Sequence, residues 1–170
     1  KAAEAAYAKL ANEAAAKAVE DMIAALPEAD KVALTDEASI VAARSAFDKL
    51  TDEQKDLVPN KAKLEAAEKK LAELKAIAAK EEADRKAAQS VTDMINALPQ
   101  PIKLEDKASV EAARAAYDNL TADQKKLVSE GTLKKLTDAE AEIARLEKER
   151  DDKAAAAVVE KLIENIGTVT

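Results

Sequence analysis

The nonapeptide VTDMINALP, residues 91–99, is written three times in this chain: it recurs as VEDMIAALP at 19–27 and, degraded, as VEKLIENIG at 159–167. Each copy carries apolar residues at i, i+3, i+4 and i+7: Val19, Met22, Ile23, Leu26; Val91, Met94, Ile95, Leu98; Val159, Leu162, Ile163, Ile166. That spacing marks one face of an α-helix, and the Pro or Gly that closes each copy stops it. A repeat of this length signals a stacked architecture before any chemical motif is considered.

Between the copies the chain repeats itself again. DEASIVAARSAFDKL at 36–50 answers DKASVEAARAAYDNL at 106–120, with buried stripes expected at Ile40, Ala43, Phe47, Leu50 and at Val110, Ala113, Tyr117, Leu120. The acidic starts (Asp36, Glu37; Glu105, Asp106) suit the positive end of a helix. The segments TDEQKDLV and TADQKKLV follow, and Thr-x-x-Gln predicts a capping box on a short corner helix whose sticky side is Leu57 and Val58, or Leu127 and Val128. A third helix starts after Asn60 or Gly131, with Asn60 and Thr132 as expected N-caps. Its seam is Leu64, Ala67, Leu71, Leu74 or Leu136, Ala139, Ile143, Leu146, the 3-4-3 spacing of a bundle. The connections before the second helix end in Val32-x-Leu34 and Ile102-x-Leu104, apolar pairs expected to plug the end of the bundle; Val169 takes the same position near the C-terminus.

The residues joining one repeat to the next hold no turn signal. Neither Gly nor Pro lies between Leu74 and Val91, between Leu146 and Val159, or between Leu10 and Val19. The pairs Glu81–Arg85, Glu82–Lys86 and Glu149–Lys153 favour helix there. The third helix is therefore expected to run unbroken into the next first helix, from about Lys61 to Leu98, roughly 57 Å at a 1.5 Å rise per residue. The joins measure 9, 17 and 13 residues from the last seam residue to the next Val, differing in steps of four. Each step adds about one helical turn, as in a rigid spacer.

The expected fold is all-α: tandem three-helix bundles joined by continuous shared helices, a spectrin-like rod. Residues 1–18 read as the last helix of a preceding repeat, because Ala3, Tyr7, Leu10 match Ala67, Leu71, Leu74. Residues 19–90 and 91–158 are two repeats with helical linkers, and 159–170 is the first helix of a truncated third. Both ends fall inside repeat units, which reads as a piece of a longer protein.

The chemistry open to the chain is narrowed by what is missing, and no buried cluster suggests a Ser/Lys or paired-carboxylate mechanism. With no His and no Cys, imidazole and thiolate ligands, disulfides and the commonest general base are all absent. No nucleophile elbow, phosphate loop or calcium loop is present, and Glu81/Glu82 or Asp151/Asp152 point apart on a helix. No enzyme activity, catalytic residue, cofactor or metal is expected. The net charge of −7, with basic residues interspersed among acidic ones, disfavours nucleic acid. No apolar run reaches the roughly 18 residues of a membrane span. Polar residues that recur between repeats are Asp21/Asp93, Arg44/Arg114, Asp48/Asp118, Gln54/Gln124 and Lys55/Lys125. Arg44–Asp48 and Arg114–Asp118 read first as i,i+4 pairs. The sharper reading makes Arg44, Asp48, Arg114 and Asp118 a polar patch repeated along the rod, facing a periodic polymer such as cell-wall glycan. Against it, sugar recognition favours aromatic platforms, and Tyr7, Phe47 and Tyr117 all fall on core stripes.

The pattern V-x-x-M-I-x-A-L-P…A-S-V-x-A-A-R-x-A-Y-D-x-L-T-x-x-Q-K-x-L-V…L…A-E-x-x-I-x-x-L resembles a repeat of large cell-surface and secreted proteins of Gram-positive bacteria, where such repeats accompany Ig-like, fibronectin-like, S-layer-homology or catalytic modules. In architecture alone it is also similar to small three-helix binders such as FIVAR and albumin-binding domains. The resemblance implies an extracellular module, on the bacterial surface or secreted, used as a spacer or adhesive stalk; the expected partners are the flanking domains of the same polypeptide, and the chain is expected to be monomeric. The alternative it leaves open is an adhesion module for a host protein or a cell-wall polymer.

Overall fold

The computed structural model describes residues 1–167; Val169, aligned above with Val32 and Ile102, lies outside the described residues. Every regular element among the described residues is helical. Seven α-helices follow one another: α1 (Ala2–Ala24), α2 (Glu37–Asp48), α3 (Asp52–Lys55), α4 (Lys61–Asn96), α5 (Lys107–Asp118), α6 (Ala122–Lys126) and α7 (Glu130–Gly167). Short 3-10 turns at Ala29–Lys31, Leu34–Asp36 and Leu104–Asp106 lead into α2 and α5. The chain divides into two compact units, Lys1–Lys80 and Glu81–Thr170.

The core of unit 1 gathers Val19 and Ile23 of α1 with Leu26 just past its end, Ile40, Ala43 and Phe47 of α2, and Leu64, Ala67 and Leu71 of α4. Leu50, Val58 and Val32 close it from the connections. Unit 2 repeats the arrangement with Val91 and Ile95 of α4, Val110 and Ala113 of α5, and Leu136, Ala139 and Ile143 of α7, closed by Leu120, Val128 and Ile102. Burying one such Ile or Leu stabilises by about 1.5–3 kcal/mol, so the expected stripes supply each unit's main driving force.

Four local expectations need correction. The core begins a turn earlier than Val19 and Val91: Ala16 and Ala88, placed with the joining segments, are buried. Met22 and Met94 lie at the margin and are exposed, because i+3 on a three-residue stripe falls at the edge of a face narrowed by Ala. Of each plugging pair only Val32 or Ile102 is buried; Leu34 and Leu104 each open a 3-10 turn, the first exposed and the second half-buried. Similarly Val58 and Val128 enter the cores while Leu57 and Leu127 are exposed.

Helix starts follow the sequence with two exceptions. Thr51 Oγ1 accepts from Gln54 N at 3.4 Å while Gln54 Oε1 accepts from Thr51 N at 3.0 Å, and Thr121 with Gln124 repeats this at 3.3 and 2.9 Å. Asp36 and Asp106 accept from the backbone N–H of Ala33 and Lys103, both at 2.8 Å, which fixes the turn leading into α2 and α5. Asn60, however, turns away from a capping role: its Nδ2 donates to the Glu20 carbonyl at 2.8 Å and its Oδ1 is buried without a partner. Ser129, not Thr132, caps α7, accepting from Thr132 N at 3.0 Å, while Thr132 is buried with its hydroxyl 2.8 Å from that of Ser129.

The joining segments are helical as expected. α4 is 36 residues long, Lys61–Asn96, and contributes Leu64, Ala67 and Leu71 to one core and Ala88, Val91 and Ile95 to the other. At a rise of 1.5 Å per residue it measures about 54 Å. Lys86 and Lys153 pair with Glu82 and Glu149 at 3.4 and 2.8 Å as anticipated, whereas Arg85 meets Glu82, 3.2 Å away, in place of Glu81.

Candidate functional site

The recurring arginines are the natural place to look for chemistry, since α2 and α5 present them at equivalent positions. Arg44 grips Glu68 of α4 with both Nε and Nη2, the latter bond being 2.6 Å. Arg114 grips Glu140 of α7 in the same fork, its Nη2 bond being 2.7 Å. Asp48 and Asp118 stand behind, 3.5 and 3.9 Å from the remaining guanidinium nitrogen. The guanidinium carbon also lies 5.4 Å from the Phe47 ring centre in unit 1 and 5.5 Å from that of Tyr117 in unit 2. A lysine reaches each ring too, Lys61 at 5.9 Å and Lys125 at 5.5 Å. Such cation–ring contacts add modestly to a half-exposed site.

The fork favours the charged guanidinium further. The hydrogen bond to Glu68 is the main cause holding Arg44 above its ordinary pKa, and Glu140 does the same for Arg114. Each guanidinium commits Nε and Nη2 to the facing carboxylate and acts as a strut between two helices. Glu68 and Glu140 were not singled out from sequence. The available signal was the shared Ala-Glu of AAEKKL and DAEAEI, which places a carboxylate one turn before each Leu71 or Ile143.

The other recurring polar residues divide between contacts within one helix and contacts between helices. Asp21 takes the Lys17 ammonium and Asp93 accepts from Gln89 at 2.7 Å, each across one helical turn. Gln54 and Gln124 complete their capping boxes and then reach out: Nε2 donates to Asn12 Oδ1 at 3.0 Å and to Asp84 Oδ1 at 2.9 Å. Asn12 and Asp84 occupy equivalent positions before Val19 and Val91, so the corner helix of each unit is latched to its long first helix. Lys55 and Lys125 diverge, the first pairing with Asp52 at 3.7 Å and the second donating to the Asp118 carbonyl at 2.9 Å.

One pair recurs in function but not in residue type. Lys75 of α4 bonds Glu37 of α2, and at the same two positions of unit 2 Lys107 of α5 bonds Glu147 of α7 at 2.5 Å. The charges are exchanged between helices and the attraction is kept. Residue-by-residue matching of the repeats hides such a pair, because neither member recurs. Glu147 holds Lys107 above its ordinary pKa.

Between the second and third helices of each unit runs an open groove, floored by Ile40 and Leu71 in unit 1 and by Val110 and Ile143 in unit 2, with the arginine–glutamate fork on its wall. Lys75 lines it in unit 1, and both Lys107 and Glu147 line it in unit 2. Phe47 is buried and Tyr117 half-buried, as their stripes required, whereas Tyr7 is exposed together with Leu10. Among the described residues no three acidic side chains gather as they would around a cation, and no helix is long and apolar enough to cross a membrane.

No protein-family model, curated protein or solved structure matches this chain. What defines the molecule is its own geometry: an all-α chain whose recurring arginines and glutamines brace helix against helix.

Proposed function

We propose that the chain is a non-catalytic structural spacer: tandem three-helix bundles, joined by helices that run from one bundle into the next, holding neighbouring domains of a bacterial cell-surface or secreted protein apart as a semi-rigid rod. The observation that carries this reading is α4, which supplies apolar residues to both cores with no break in 36 residues. A flexible tether would place Gly and Ser there; this join has Ala, Glu, Lys and Arg, with ion pairs at one-turn spacing.

The commitment of the recurring polar residues supports a spacer over a binding module. Arg44 and Arg114 direct Nε and Nη2 into the interhelix forks, with Asp48 and Asp118 beside the third guanidinium nitrogen, an arrangement that braces the bundle and needs no ligand. Small-angle scattering tests the proposal. The expected curve is that of a monomeric elongated particle with one well-defined maximum length; a globular profile, or one requiring free hinging between two bodies, overturns it. Placement on a bacterial surface is tested by locating the parent polypeptide in wall, medium and cytosolic fractions, a purely cytosolic signal counting against it.

A further inference from the structure

The apolar seam that opens each core is covered in two copies and bare in the third. Val19, Ile23 and Leu26 are 5%, 0% and 4% exposed, and Val91 and Ile95 are 5% and 1% exposed. Their counterparts on α7, Val159, Ile163 and Ile166, are 54%, 64% and 75% exposed. Ala156 is exposed where Ala16 and Ala88 are buried. In the first two copies the cover is a helical pair: α2 with the start of α4, and α5 with the start of α7.

The polar frame around the seam is repeated as well. Seven residues before the seam valine stand Asn12 and Asp84, which accept the corner glutamines; the same position on α7 holds Asp152. Five residues after the valine, the Ala24 carbonyl accepts from Lys63 at 3.0 Å and Asn96 Oδ1 accepts from Lys135 at 2.9 Å. Lys63 and Lys135 are equivalent, one residue before Leu64 and Leu136, and the position facing such a lysine on α7 is Glu164. A carboxylate there would make a stronger, charge-assisted bond than an amide or a carbonyl.

We propose that residues 152–166 form a docking site for a helical hairpin of this chain's own repeat type. Its first helix would carry the α2/α5 stripe, Ile or Val, then Ala, then Phe or Tyr. Its second would carry Leu-x-x-Ala-x-x-x-Leu/Ile, a glutamine at the corner would meet Asp152, and a lysine before the Leu would meet Glu164. A second copy of this chain is not the occupant, because its own second-helix stripes are already buried in its two cores. The site stands apart from the spacer role, since scattering from the chain alone decides that role whatever happens at this seam.

The probe is a fluorescent synthetic polypeptide of residues 99–153, the second and third helices of unit 2 with their corner and without a first helix. Titrated with the whole chain, it is expected to bind saturably at one to one by anisotropy, with a gain in helicity. Ile163→Asp is expected to weaken binding at least tenfold and Glu164→Lys severalfold. Because Ile163 is exposed, the Asp variant keeps its helix content, which circular dichroism checks. Absence of saturable binding overturns the proposal, as does binding undiminished by Ile163→Asp, which would mean exchange at the Val91 seam or unspecific adhesion. So does a probe carrying Val110→Asp that binds as well as its parent.

Discussion

At the scale of single residues the decisive contact is the fork between Arg44 and Glu68, or Arg114 and Glu140. A guanidinium offers two parallel donors to a carboxylate, which an ammonium cannot. Arg114→Lys is therefore expected to keep the charge, lose the fork and lower stability by about 1 kcal/mol, since the pair is only partly shielded from water; chemical denaturation measures it. The exchanged pair gives a cleaner test. Lys107→Glu sets like charges against Glu147 and lowers the unfolding midpoint, and the double variant Lys107→Glu/Glu147→Lys, which rebuilds the polarity of Glu37 with Lys75, is expected to restore it. A double variant no better than the single one would mean that the 2.5 Å contact does not set the pairing of α5 with α7. Neither fork nor exchanged pair could be assigned from sequence. The arginines were visible as recurring residues, but the nearest carboxylate in sequence, Asp48, proved secondary to one 24 residues away.

Among elements, α4 and the corner helices carry the argument. The corner caps were legible because Thr-x-x-Gln is a local device: hydroxyl, amide and backbone all lie within one turn, so its geometry needs no distant partner. Thr121→Ala removes the oxygen 3.3 Å from Gln124 N and should cost about 1 kcal/mol, read as a lower melting midpoint with helix content retained. The joining helix was legible for a different reason, the absence of any residue that could stop it. Replacing Lys80-Glu81 by Gly-Pro introduces a break costing roughly 3 kcal/mol within a helix interior. The expected result is two thermal transitions in place of one, with most of the helical signal kept; an unchanged single transition would show that the two cores do not support one another through α4. The starts of α4 and α7 were misread because capping preference is weak beside tertiary demand. Asn60 is drawn to a carbonyl of α1, and Thr132 is buried one turn into the helix it was expected to open.

Across the whole molecule, titration follows composition. With no His or Cys, the charge of the side chains changes little between the carboxylates and the lysines. Glu142 and Glu149 are held below their ordinary value of 4.5, chiefly by hydrogen bonds from Arg145 and Lys153. Their contribution is present above that value and is lost as pH falls through the depressed one. Lys17 and Lys107 are held above 10.5 by Asp21 and Glu147, so their contribution is present below that value and is lost as pH rises through the raised one. Both shifts widen the same plateau. The melting midpoint is expected to stay level from about pH 6 to pH 9 and to fall outside it, and a step near neutrality would contradict this.

What the sequence determined by itself was periodic and local: helices at the repeated stripes, Thr–Gln corners, and joins without a stop. These depend on spacing along one helix or within one turn, and spacing is what a sequence records. The tertiary structure alone decided which side of a marginal stripe is covered and which distant charge answers which. Met22 and Val19 share a helical face on paper, but only the neighbouring helices determine that Val19 is buried and Met22 is not. The same holds for the bare seam of α7. Val159 and Ile163 read like Val19 and Ile23, and the difference lies in the helices packed against them.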